Sequence, residues 1–367
     1  IFAKITPCME NGKAAIVSQL QNGRGFGSTE FHVLRPGVNI IAQWLFHFVR
    51  QENFRADAKA SFTGTAGQLR VPVTFLSNYP IPLPPLAEQE RIVAKIEALF
   101  SQLEAGVAAL RRAQAALKRY KASLLKSACE GRLVAQDPSD EPAEAVLQRL
   151  GKSPLRGEGL PALPPGWCWV RLGEVGTAIG GIAKGRNLEG KPTQKLPYLR
   201  VANVQRGYLD LTEVKELDVL ISETSKYLLK LGDILLTEGG DWDKLGRSTI
   251  WKEQIPHCVH QNHIFRVRLI TSEILPEWVS YFTNSEQGQT YFKDASKQTT
   301  NLASINLSQL KACPIPLPPL AEQERIVAEL ERRLTIVAQV ETAIQTGLAR
   351  SARLRQAILK RAFRGEL

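Results

Sequence analysis

The sequence predicts an α+β chain in which two globular regions, the first incomplete, are joined by two long helices that pair with each other. Three observations predict it. Residues 80–94, PIPLPPLAEQERIVA, recur unchanged as residues 314–328, at an offset of 234. Behind each copy runs a long apolar stripe at helical spacing. Ahead of each copy, short β-like runs alternate with turns.

The offset holds well beyond the fifteen residues. Leu125, Lys126 and Ala128 fall on Leu359, Lys360 and Ala362, Trp44 and Phe48 on Trp278 and Phe282, and Phe31 and Val33 on Phe265 and Val267. One register kept over such a span makes the chain two copies of one unit. The second copy occupies residues 134–367 and the first only 1–133. The register therefore predicts a natural protein that begins roughly 100 residues earlier, with a region resembling residues 164–234.

Taken in order, residues 1–80 are the rear part of the first globular region and 81–133 the first helix. Residues 134–165 are a linker, 166–314 the second globular region and 315–367 the second helix. Each helix starts behind prolines, which lack the N–H that a first turn leaves unused. Glu88 and Glu90 then suit the positive end of the helix dipole. Ile92, Ile96, Leu99, Leu103, Gly106, Leu110, Ala113, Leu117, Tyr120 and Leu124 step by four and three, a heptad seam weakened at Gly106 and Ala113. The second stripe runs Ile326, Leu330, Val337, Val340, Ile344, Leu354 and Ile358, with Arg333, Gly347 and Ser351 as flaws. Stripes this long need a partner, and each other is the nearest available. In the second globular region, residues 198–201, 233–236 and 263–269 read as strands. Residues 277–282 read as a helix, matched by 43–48. The linker holds six prolines across residues 137–166 and a short helical patch at 143–150.

Composition narrows the function. Hydrophobic residues make up 44% of the 367, enough for packed cores. No apolar run reaches the roughly 18 residues of a membrane span, and no secretory signal is visible. Five scattered cysteines fit a reducing cytoplasm better than a disulfide framework. The net charge of +11 is local. Residues 111–133 carry seven basic side chains and residues 350–367 six, with one acid in each, which accounts for the whole excess. Arg111, Arg112, Lys118, Arg119, Arg353, Arg355, Lys360 and Arg361 thus face DNA phosphates, an acidic partner surface or plain solvent.

An adenine-methylase signature and a nucleotide-binding P-loop are both missing from the sequence. Gly23-Arg24-Gly25-Phe26-Gly27 lacks the strand–turn–helix setting of a cofactor loop and reads as an ordinary loop. The cluster His257-Cys258-Val259-His260-Gln261-Asn262-His263 leads into a strand, which would send His260 and His263 to opposite faces. It reads as a loop rather than a zinc site, with no metal and no catalytic residue expected.

The block PLPPLAEQERIV before a long helix, present twice behind two α+β regions, resembles the DNA-specificity subunits of type I restriction-modification systems. Leu163-Pro164-Pro165-Gly166-Trp167, Leu172-Gly173-Glu174, Gly232-Asp233-Ile234-Leu235 and Thr63-Gly64-Thr65-Ala66-Gly67-Gln68 carry the resemblance further. It implies two target-recognition domains separated by an antiparallel coiled coil, each domain reading one half of a bipartite double-stranded DNA site. It also implies docked methyltransferase subunits, which bring S-adenosylmethionine, and restriction (translocase and nuclease) subunits. The chain itself would hold no cofactor. Base-reading candidates are polar and lie on loops: Lys184, Arg186, Asn187, Arg200, Asn203, Lys244, Arg247, Gln261 and Asn262 in the second region, and Lys4, Lys13, Thr65, Gln68 and Arg70 in the first. Two other readings stay open at this stage: the specificity end of a fused methyltransferase-nuclease, and a protein-binding coiled-coil scaffold.

Overall fold

The structure, a computed structural model, describes all residues except 19, 66, 158, 242, 243 and 299–302. Along the chain come β1 (Phe2–Ala3), β2 (Phe31–His32), α1 (Ala42–Phe48), α2 (Glu52–Ala60), α3 (Val73–Asn78) and the long α4 (Leu86–Cys129). The linker contributes α5 (Ala143–Arg149). The second region opens with β3 (Cys168–Arg171), α6 (Leu172–Val175), β4 (Gly176–Gly180) and β5 (Thr193–Leu199), followed by β6 (Val204–Gln205), β7 (Tyr208–Leu209) and β8 (Lys215–Leu220). Then come α7 (Thr224–Tyr227), β9 (Ile234–Thr237), β10 (Gly239–Gly240), β11 (Ser248–Ile250), β12 (Val259–His260) and β13 (Ile264–Leu269). After them lie α8 (Pro276–Asn284), α9 (Glu286–Ala295), β14 (Lys297–Gln298), β15 (Ala303–Ser304), α10 (Leu307–Ala312), β16 (Pro314–Leu317) and the second long helix, α11 (Leu320–Ala362).

The chain forms two compact units, Ile1–Ala116 with Gln339–Leu367, and Leu117–Ala338. In the first, β1 and β2 pair antiparallel over a core of Phe2, Met9, Phe48, Phe54 and Val71. The front of α4 packs on the rear of α11: Ile92, Val93, Ile96 and Phe100 meet Ile358, Leu359 and Ala362, with Trp44 closing the cluster. Arg355 lies over the Phe100 ring at 4.3 Å, and Leu110 sits against Gly347. Residue numbers fall on one helix as they rise on the other, so the helices run antiparallel. Gly347 is thus no flaw in the stripe. A Cβ there would stand 3.1 Å from Leu110, and glycine leaves the hole that this leucine fills.

In the second unit a four-stranded antiparallel sheet, β11-β9-β13-β4, backs onto α8 and α10. A smaller sheet, β12-β5-β8, lies beyond it. The core joins Val170, Ile234, Leu236, Phe265, Val267, Trp278 and Ile315 to Leu124 and Ala128 of α4 and to Ile326 and Leu330 of α11. Here too the long helices are antiparallel. β3 pairs with β16, so the second region begins and ends on neighbouring strands.

Most expected elements sit within two residues of their sequence positions. The strand expected at 198–201 instead spans Thr193–Leu199, pairing with β8 from Thr193 on and ending where residues 201–203 turn into a 3-10 helix. The strand expected from 233 starts at Ile234, because the buried Asp233 carboxylate takes Arg268 Nε at 2.7 Å and the Lys230 N–H at 2.7 Å.

Candidate nucleic-acid interface

The second unit carries most of the proposed reading residues on its loops. Lys184, in the glycine-rich loop after β4, places Nζ 5.1 Å over the Tyr198 ring. Arg186 pairs with Glu223 at 2.7 Å, and Asn187 Oδ1 accepts from the Glu189 N–H at 3.0 Å. Arg200 pairs with Glu213, which holds that carboxylate below its usual range, Lys215 adding to the effect. Asn203 requires a correction. It is buried, its Oδ1 accepting from Arg200 N–H at 2.8 Å while Nδ2 donates to the Asp210 and Glu213 carbonyls at 2.8 and 3.0 Å. A buried amide with both N–H groups and its oxygen engaged inside the fold holds its loop together and is not offered to a base edge.

Two loops are tied together near the end of β9. Arg247 donates to Gln205 Oε1 at 2.9 Å, and Gly207 N–H reaches the Ser248 carbonyl at 2.8 Å. The tie sets the β6–β7 hairpin beside residues 241–247, where Lys244 pairs with Asp241. Trp242 and Asp243, in that same loop, lie outside the described residues. The hairpin exposes Tyr208 and carries Arg206, which donates to Asn284 Oδ1 at 3.4 Å. Sequence reasoning missed this hairpin. Its signal was Arg206-Gly207 between Val204-Gln205 and Tyr208-Leu209, with Gly207 at φ +84° as a tight turn requires.

Gln261 and Asn262 stand on the sharp turn between β12 and β13. Their backbone N–H groups are held by the Leu199 and Ile182 carbonyls at 3.0 Å each. The segment expected as a loop leading into a strand holds a two-residue strand, β12, before the turn into β13. His260 is fully buried, its Nδ1 on the Ile264 carbonyl at 2.9 Å, whereas His263 is exposed and meets Glu238 at 2.6 Å. Burial pushes the Cys258 thiol up to about 12, which opposes thiolate ligation. Among the described residues no group of three metal-ligating side chains converges.

In the first unit, Gln68 N–H meets the Thr65 carbonyl at 3.0 Å, and Arg70 just beyond bridges back to Thr63. Ala66 of that motif lies outside the described residues. Arg70 grips Glu30 with two bonds of 2.9 Å and donates to the Gln68 carbonyl at 2.8 Å. Lys4 is half-buried beside Glu30, and Lys13 is exposed. On the long helices, Arg111, Arg112, Lys118, Arg119, Arg353 and Lys360 are exposed and form no ion pair among the described residues. Arg361 bonds to the Glu366 carbonyl at 3.0 Å. Arg355 is turned inward, over Phe100 and onto Glu104 at 3.1 Å, which removes it from the outward-facing set.

The profile of the type I restriction modification DNA specificity domain matches residues 9–109 and 164–348. The chain belongs to this family. It is 30% identical to the EcoEI specificity subunit of Escherichia coli over 409 residues, covering 94% of this chain and 69% of that protein. It is 29% identical to the EcoAI specificity subunit of the same organism over 415 residues, covering 94% and 68%. A chain solved in a study of complex assembly and conformational transition of a type I restriction-modification system superposes with a TM-score of 0.64 at 28% identity. The superposition covers 89% of this chain and 71% of that one. The two stretches matched by the profile take in both copies of the repeat. No described helix is long and apolar enough to cross a membrane.

Proposed function

We propose that each globular region reads one half of a split double-stranded DNA sequence, while the paired helices hold the two readers apart and dock methyltransferase subunits. Those subunits supply S-adenosylmethionine and the methyl transfer, restriction subunits supply translocation and cleavage, and this chain performs no chemistry itself. The observation that carries the reading is the repeat: identical helix starts follow two regions whose loops differ. Two different readers on a stiff spacer select an asymmetric, spaced site, as half-site spacing does for dimeric readers. Within the second reader, the β6–β7 hairpin with Arg206 and Tyr208, the turn at Gln261 and Asn262, and the loops of Lys184 and Arg247 are the base-reading elements. In the first reader, the Thr65–Gln68 turn with Lys4 and Lys13 takes that role. Arg111, Arg112, Lys118 and Arg119 meet phosphates, which supply affinity without sequence information.

The test is a methylation map. The chain is expressed with the methyltransferase subunit of its own system in a methylation-free host, and modified adenines are located by single-molecule sequencing. A split motif with one fixed gap is expected, and substitutions in the β6–β7 hairpin should alter one half of it only. Modification without any motif, or with a motif that hairpin substitutions leave unchanged in both halves, overturns the reading.

A further inference from the structure

The fifteen repeated residues include a glutamine, Gln89 in one copy and Gln323 in the other, and both are completely buried. Gln323 Oε1 accepts from the Leu275 N–H at 2.9 Å. Its Nε2 donates to the Glu273 carbonyl at 3.3 Å and the Pro318 carbonyl at 3.0 Å. Gln89 Oε1 accepts from the Ile41 N–H at 3.1 Å, and its Nε2 donates to the Asn39 carbonyl at 2.9 Å and the Pro84 carbonyl at 2.8 Å. Every partner in one unit is the partner in the other, displaced by the offset of the repeat. A second tie crosses the same joint in the opposite direction. Trp278 Nε1 donates to the Pro316 carbonyl at 2.8 Å, and Trp44 Nε1 to the Pro82 carbonyl at 3.0 Å.

In both units the glutamine therefore reaches back from the first turn of the long helix to the backbone just before α1 or α8. The tryptophan reaches forward from α1 or α8 to the proline run that launches the long helix. All eight ties end on backbone groups, four of them on the proline runs and four on the stretch before α1 or α8. The residues that supply those last four differ between the copies, Asn39 and Ile41 in one and Glu273 and Leu275 in the other. The side chains at the joint are thus invariant while the surface they grip is indifferent to its own side chains. A buried amide with three satisfied bonds tolerates little displacement, because any shift strands a polar group away from water.

We infer that Gln89 and Gln323, seconded by Trp44 and Trp278, are positioning residues that fix the direction in which each long helix leaves its globular region, and so set the gap in the recognised DNA. The part concerning DNA rests on the reading proposed above; the mechanical part does not. A gap one base pair longer turns one half-site by about a tenth of a helical turn relative to the other. A reader held stiffly rejects that change, and a reader on a loosened joint accepts it.

The experiment has two arms. In the first, spin labels are placed on the full chain at exposed Asp218 of β8 and exposed Glu331 of α11, with Cys8→Ser; the four other cysteines are buried. Pulsed electron spin resonance should give one narrow distance for the parent and a broad or shifted one for Gln323→Leu. Trp278→Phe, which keeps an aromatic ring but loses the indole N–H and some volume, should broaden it as well and covers the case in which Gln323→Leu does not fold. Parental distances in the variants that fold overturn the inference. In the second arm the methylation map is repeated with both variants. The same half-site bases are expected, with methylation at gaps one base pair longer or shorter rising from background to within about tenfold of the parental gap. An unchanged gap beside a broadened distance removes the link to DNA and leaves the joint. A parent without a split motif overturns the function proposed above, while the distances still judge the joint.

Discussion

His47 and His260 are buried in different units, and each ring is pushed down to about 4, first by loss of water. Arg50 adds to the effect at His47, and Arg266 at His260. Unfolded, both would titrate near 6.5. The folded chain keeps them neutral while the unfolded chain takes up protons. Their contribution is therefore complete above pH 6.5 and is lost as pH falls from 6.5 toward 4. A thermal midpoint that drops steeply across that window is expected, on the order of 2–3 kcal/mol for each ring. His260→Gln should flatten the drop, and a midpoint level from pH 7 to 4.5 would refute the assignment. Residue roles were the part of the site least visible in the sequence. Asn203 follows a strand and precedes a hairpin, the position of a reading residue. Only the folded loop shows that its amide faces inward, onto the Asp210 and Glu213 carbonyls. Gln89 and Gln323 are visible in the sequence only as letters of the repeated block, and nothing in periodicity or charge marks a glutamine in a first turn as buried.

Elements were far more legible, because their signals are local. Both long helices, α8, α1 and α5 follow from apolar spacing, and β9 and β13 from short apolar runs closed by turns. What could not be read locally is shown by one string. PIPL is a strand at Pro314–Leu317, paired with β3, and irregular at residues 80–83. Identical residues take different states because only one copy has a strand beside it. Two glycines of the helices separate in the same way. Gly106 has open space around it, so Gly106→Ala should stabilise by about 0.5–1 kcal/mol through helix propensity alone. Gly347→Ala gains the same propensity but presses on Leu110, so its gain in denaturant unfolding should be smaller or reversed. Equal gains would mean that the seam is not packed there. The start of the second region supplies a third test. Trp167 Nε1 donates at 2.8 Å to Glu322, whose buried carboxyl is pushed above the usual range by loss of water. Trp167→Phe should cost about 1–3 kcal/mol by stranding that carboxyl, whereas a loss under ~0.5 kcal/mol would mean that the bond matters little.

At the scale of the molecule, the sequence orders the chain as region, helix, linker, region, helix, whereas the compact units take in parts of both long helices. A linear repeat cannot show this, since which half of a helix packs on which region depends on contacts more than two hundred residues apart. Charge does belong to this scale and was legible from counting. Between Glu104 and Glu130, α4 carries no acid and six basic residues. If Arg111, Arg112, Lys118 and Arg119 lie on phosphates, changing all four to Gln should lower the slope of log affinity against log salt by about 3–4. The methylated motif should stay the same. An unchanged slope would assign them to solvent or to a protein partner.

The invariant joint has a genetic consequence. A gene that encodes the same fifteen residues twice offers two places where strands can cross. Deletion between them would excise 234 residues and fuse the first globular region to the second long helix through a single block. At that junction the glutamine would be Gln89, still facing the Asn39 carbonyl and the Ile41 N–H, with the tryptophan still facing the proline run. The product would be a shorter chain with one reader and a joint no looser than its parent's. An exchange that imported a foreign reader through the same block would inherit the same fit, provided that it brought a tryptophan at the place of Trp44 or Trp278.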